Sequence, residues 1–185
     1  GRSLGTMPFQ LAGNIRQGGL VERAFGLTLR ELVEGYGGGT ASGRPLKAAQ
    51  VGGPLGAWVP PSQFDTPLDY EAFAALGAVL GHGGIVVFDD TVDMADMARY
   101  AMEFCAIESC GKCTPCRIGS TRGVELIDRI RARSARQPDS AQLGGIDNAS
   151  VPSRVGASMC SLGDFFEKTT HGGCVFYRSI YASLR

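Results

Sequence analysis

The sequence predicts an α+β chain: a small mixed domain first, then a helical segment around a cysteine cluster, then an irregular tail. Three observations carry this. The first ninety residues are cut by glycine and proline into short strand-sized and helix-sized pieces. From Met94 onward an apolar stripe of helical period sets in. Beyond Ser134 no period is sustained. The expected boundaries are 1–90 for the first domain, 91–164 for the second and 165–185 for a tail without firm register.

Thr28-Leu29-Arg30-Glu31 is a capping box, in which the threonine and glutamate satisfy each other's free backbone donors. It opens a short helix through Leu32 and Val33 that stops at Gly35 or Gly37. Leu46 to Val51 reads as a strand closed by Gly52-Gly53-Pro54, and Pro60-Pro61 with Pro67 mark a loop. The Ala-rich stretch Leu68 to Leu80 predicts a short helix, and Gly81-His82-Gly83-Gly84 feeds a strand from Ile85 to Phe88. Met94, Met97, Ala98, Ala101, Met102 and Cys105 form one helical stripe, capped by Thr91 or Asp93. A further helix follows, with Thr114 as N-cap, Pro115 at its first position, and Gly123, Leu126, Ile127 and Ile130 on one face.

Composition narrows the function classes. Hydrophobic residues make up 44% and charged residues 19% of 185, a globular balance. The 18 basic and 18 acidic residues cancel, so no bulk attraction to nucleic acid is built in. No apolar run approaches the ~20 residues of a membrane span, which argues against direct membrane insertion. Gly1-Arg2-Ser3-Leu4 is no secretory signal, so a cytoplasmic setting is expected; the start on Gly1 rather than Met suggests a fragment. Six cysteines in a chain without a secretory signal point to metal or redox use rather than disulfides.

Cys110, Cys113 and Cys116 stand in C-x-x-C-x-x-C spacing on a turn opened by Gly111, so three thiols can converge on one centre. Three ligands leave one iron of a cubane unserved, and Cys160 or the competing Cys174 would complete it. Zinc is the other candidate. The three-plus-one split favours iron and sulfide, since structural zinc sites usually pair two knuckles. Lys112, Arg117 and the helix N-terminus after Pro115 would favour the reduced state. Cys105, on the apolar stripe, reads as core.

Glu108-Ser109-Cys110-Gly111-Lys112-Cys113-Thr114-Pro115-Cys116-Arg117 resembles the cluster motif of the NADH-oxidising flavoprotein subunit of respiratory complex I and its counterparts in NAD-linked hydrogenases and formate dehydrogenases. Met102 to Ile107, Ile118 to Gly123, and the stretch beginning Gly5-Thr6-Met7-Pro8 look most like the formate dehydrogenase β subunit. The resemblance runs from about residue 5 to residue 133. It implies a β-grasp, soluble-ligand-binding (SLBB-like) domain followed by a helical domain with a [4Fe–4S] cluster that exchanges electrons with FMN and, through it, NAD(H). The family's fourth ligand lies in a segment that Cys160-Ser161-Leu162-Gly163 resembles, which implies the set Cys110, Cys113, Cys116 and Cys160. It also implies other subunits of a multi-subunit dehydrogenase as partners. The family's FMN- and NADH-binding domain has no counterpart in these residues, and the segment from Gln142 to Ser158 and the residues beyond Asp164 depart from the pattern. The chain alone is therefore expected neither to bind NAD nor to turn over substrate.

The remaining candidates have simpler readings. Gly37-Gly38-Gly39 lacks the Gly-Lys-Ser/Thr of a phosphate loop and reads as a turn. His82 reads as a loop residue, and His171 has no informative context. Asp89, Asp90 and Asp93 read as helix caps rather than paired catalytic carboxylates. Arg129, Arg131, Arg133 and Arg136 read as a solvated helix end.

Overall fold

The computed structural model describes residues 2–54, 56–112 and 114–134. It resolves into two compact units, Gly1–Val92 and Asp93–Arg185.

The first unit is a five-stranded mixed sheet with short helical pieces. Strand β1 (Thr6–Gly13) alternates Met7, Phe9 and Leu11 into the core with exposed Thr6, Pro8 and Gln10 between them. Its partner β2 (Gly19–Ala24) runs antiparallel to it at the sheet edge, largely exposed. Strands β3 (Leu46–Val51), β4 (Ala57–Val59) and β5 (Gly84–Asp89) complete the order β2-β1-β5-β3-β4. β5 lies parallel to β1 and antiparallel to β3, so the first and last strands are central neighbours, the β-grasp arrangement. Pro8 is tolerated in β1 because β5 joins only from the Gln10–Gly84 pair onward, where Gln10 N–H donates to the Gly83 carbonyl. The donor Pro8 lacks would face that side, ahead of the ladder.

Between β2 and β3 the chain crosses the sheet in a π-helical segment, Glu31–Tyr36, that buries Leu32 and Val33 completely. The predicted capping box opens this crossing: Thr28 N–H donates to Glu31 Oε2 at 2.9 Å, and Glu31 N–H donates to Thr28 Oγ1 at 3.1 Å. The Thr28 N–H and the Thr28 hydroxyl, both donating to Glu31 Oε2, hold the Glu31 carboxyl below its ordinary pKa. Helix α1 (Tyr70–Ala75) is capped by Asp69, which accepts from Ala72 N–H at 2.6 Å, and buries Phe73. Phe9, Leu29, Leu32, Phe64, Leu68, Phe73, Ile85 and Val87 meet in one core.

The acidic residues from the last position of β5 to Asp93 divide their work. Asp93 does cap the next helix, accepting from Ala95 N–H at 2.8 Å. Asp89 and Asp90 do not, which corrects the capping expectation for both. Asp89 accepts from Ser42 Oγ at 2.7 Å and from Thr91, and Asp90 pairs with Arg44. These contacts hold both carboxyls below their usual range: the Thr91 and Ser42 hydroxyls for Asp89, the Arg44 guanidinium for Asp90.

The described part of the second unit is a helical hairpin. Helix α2 (Met94–Glu108) and helix α3 (Thr114–Ser134) are joined by a five-residue connection. Arg99 pairs with Asp128 at 2.7 Å, and Arg131 pairs with Asp96. Met102 packs with Ile127. Partners descend along α3 as positions climb along α2, so the helices run antiparallel. Gly123 faces the Met102 side chain, whose terminal methyl would stand 2.8 Å from a β-carbon there and would have to shift. Of the stripe, Met94, Ala101, Met102 and Cys105 are buried while Met97 and Ala98 are half-buried, and Arg131 is an ion-paired helix residue. Arg136, the whole span 135–164 and the expected tail, 165–185, lie outside the described residues.

Candidate metal centre

The connection between α2 and α3 carries the cysteine motif. Its shape follows from three residues. Ser109 ends α2 with an extended backbone, so the chain leaves the helix abruptly. Gly111 follows at φ 74°, a left-handed turn that side chains with a β-carbon disfavour. A β-carbon there would only touch the Arg117 stem at 3.7 Å, so the demand for glycine is conformational rather than steric. The chain then re-enters helical geometry at Thr114, which is therefore the first helical residue rather than the expected N-cap, with Pro115 second.

This placement separates the two described motif cysteines by environment. Cys110 is exposed on the turn, and Cys116 is buried in the first turn of α3. There the free backbone donors of the helix N-terminus stabilise negative charge on a thiolate. The Ser109 hydroxyl lies 3.3 Å from Cys116 Sγ and itself accepts from Gly111 N–H at 3.3 Å. Ser120, wholly buried, donates to the Cys116 carbonyl at 2.6 Å and so consumes its own hydroxyl within α3. Lys112 and Arg117 are exposed beside the turn.

Cys105 sits on the buried face of α2. Burial, with the nearby Cys116 as the lesser cause, pushes its thiol up to about 11. A neutral buried thiol of that kind is a small apolar packing group and a poor ligand. Among the described residues Cys105, Cys110 and Cys116 form no disulfide.

Cys113, Cys160, Cys174 and His171 lie outside the described residues. Among the described residues no three His, Cys, Asp or Glu side chains gather at a point. The two motif thiols that are described do suit a soft metal centre: one buried under a helix N-terminus, one open on the turn, with a hydroxyl beside the buried sulfur. His82 lies in the turn before β5 with its imidazole against Gly53 and Gly84, remote in sequence from the cysteines. Sequence reasoning passed over Ser109 and Ser120. The only signal for them was a hydroxyl residue beside the first motif cysteine and another one helical turn beyond the third.

Comparison with known proteins bears on this loop directly. Residues 96–183 match the model of the NADH-ubiquinone oxidoreductase-F iron-sulfur binding region. The chain is 43% identical over 141 residues to the HndC protein of the NADP-reducing hydrogenase of Solidesulfovibrio fructosivorans, covering 76% of this chain and 29% of that one. It is 38% identical over 163 residues to a subunit of the NADH-quinone oxidoreductase of Rhizobium meliloti, covering 88% of this chain and 38% of the relative. Among solved structures, the NAD⁺-reducing [NiFe]-hydrogenase in its air-oxidised state matches 94% of this chain and 29% of its own at 27% identity, with a TM-score of 0.71. The chain thus spans between about a quarter and two fifths of these relatives. No described helix is long and apolar enough to cross a membrane. The motif loop, the helices that carry it and these likenesses together show that the chain belongs to the family of NADH-oxidising flavoprotein subunits, over the part that bears their iron–sulfur binding region.

Proposed function

We propose that the second unit holds a [4Fe–4S] cluster on Cys110, Cys113, Cys116 and Cys160. It would relay single electrons between an FMN/NAD(H) centre and other iron–sulfur centres of a multi-subunit, NAD-linked oxidoreductase of the formate dehydrogenase β type in the cytoplasm. The carrying observation is the buried Cys116 thiol in the first turn of α3, three residues after Cys113 in a segment matching an iron–sulfur binding region. When bound, the cluster supplies one-electron chemistry at a potential set by its surroundings. The chain's own part is to ligate it, to shield one side by burying Cys116, and to offset its negative charge with the α3 N-terminus, Lys112 and Arg117. Thiolate ligation also suits a reducing compartment, where thiols stay free. Cys160 and Cys174 both fall inside the matched span, and the Cys-Ser-Leu-Gly likeness favours Cys160. FMN and NAD would be held by parts of the whole subunit beyond these residues, with formate/NAD⁺ as the couple served and the neighbouring subunits as electron partners.

Anaerobic reconstitution with iron and sulfide tests this. The expected product is brown, carries about four irons and four acid-labile sulfides per chain, and gives an EPR signal on reduction. Cys160→Ser should abolish that signal and Cys174→Ser should spare it. The opposite pattern moves the fourth ligand to Cys174. Zinc without labile sulfide would make the site a structural zinc module, and a colourless protein would leave a β-grasp interaction domain with an empty loop.

A further inference from the structure

We infer that Ser109 is a tuning residue for the centre, its hydroxyl donating a hydrogen bond to the sulfur of Cys116 and raising the reduction potential there. The inference rests on the cluster reading above. The direction of the bond follows from two contacts. Ser109 Oγ lies 3.3 Å from Cys116 Sγ, and it also accepts the Gly111 N–H at 3.3 Å. Gly111 can only donate, so it takes up an oxygen lone pair and leaves the serine proton free to point elsewhere. A metal-ligating cysteine is a thiolate and can only accept. The one consistent arrangement is a relay from the Gly111 amide through the Ser109 hydroxyl to the sulfur.

Burial and backbone make this bond count. Cys116 is 3% exposed, so water competes little for its sulfur. The Gly111 N–H points back at Ser109 Oγ, and the extended C-cap of α2 presents the hydroxyl to the start of α3. Ser120, the other hydroxyl beside Cys116, is committed to the Cys116 carbonyl at 2.6 Å and cannot substitute. Adding an electron raises the charge density on the sulfurs, so a donor there stabilises the reduced form more than the oxidised one. The role concerns potential, not assembly: Cys116 is anchored by α3 whether or not the hydroxyl is present.

The test is a potentiometric EPR titration of the reconstituted 185-residue chain, wild type against Ser109→Ala and Ser109→Thr. Iron and labile sulfide are measured on each sample first. With equal cluster content, Ser109→Ala should lower the reduced-to-oxidised ratio at fixed ambient potential by up to about tenfold, or ~59 mV for one electron. Ser109→Thr, which keeps the hydroxyl, should restore it. An unchanged midpoint in Ser109→Ala with full cluster content overturns the inference and leaves the cluster reading standing. A wild type that takes up no iron and sulfide overturns both. If Ser109→Ala fails to assemble, the wild type decides: after brief transfer to D2O, electron–nuclear double resonance should show a fast-exchanging proton coupled to the reduced cluster. Its absence overturns the inference.

Discussion

The exposed motif thiol and the core thiol of α2 should behave oppositely. Cys110 is exposed, whereas Cys105 is buried with its thiol pushed up to about 11. In the cluster-free chain at pH 8, a soluble alkylating agent should modify Cys110 within minutes and spare Cys105 until the chain is unfolded, read by peptide mass spectrometry. Raising the pH toward 11 should release Cys105, because the protonated form that the core favours is then lost. Cys105→Ala should keep full iron and sulfide content on reconstitution. This difference was legible in the sequence, since Cys105 lies on the helical stripe and Cys110 on a turn. The hydroxyl beside Cys116 was not, because it depends on how Ser109 leaves α2 and how Gly111 turns back.

For the secondary elements, burial outweighs charge. Leu32 is wholly buried in the crossing segment. Leu32→Ala should cost roughly 2–5 kcal/mol by loss of transfer energy and an unfilled cavity. Arg99, bonded to both Glu103 and Asp128 on the surface of the hairpin, is a more conspicuous pair of contacts. Arg99→Ala should nonetheless cost no more than about 1 kcal/mol, since the partners stay solvated. Urea titrations of both variants would check the contrast; equal losses would contradict it. The helices were readable because their signals are local: the Thr28–Glu31 box, the stripe from Met94 to Cys105, Thr114 with Pro115. Strands β1, β2 and the three-residue β4 went unread. The alternation of Met7, Phe9 and Leu11 was available, but Pro8 within it argued against a strand, and the exposed β2 carries no buried alternation at all.

At the scale of the whole chain, loading the centre should act locally. A ligand that binds only the folded state stabilises whatever it ties together. Amide exchange should therefore slow in the connection and the first turns of α3 on reconstitution, while Thr6–Gly13 should be unchanged; slowing confined to the sheet would place the centre elsewhere. An α+β architecture with a helical second part was legible from element types and their order. The strand order was not, because nothing in the local sequence says that β1 and β5 lie side by side.

That neighbourliness governs how the molecule is made. Gln10 pairs with Gly84, and the span between them must be enclosed before the middle of the sheet exists. Closing so long a span is entropically slow. As the chain leaves the ribosome, the residues up to Val59 can form only the β1–β2 and β3–β4 hairpins and the capped crossing. The mixed domain becomes foldable late, once Ile85 to Phe88 emerge, immediately ahead of the segment that carries the thiols.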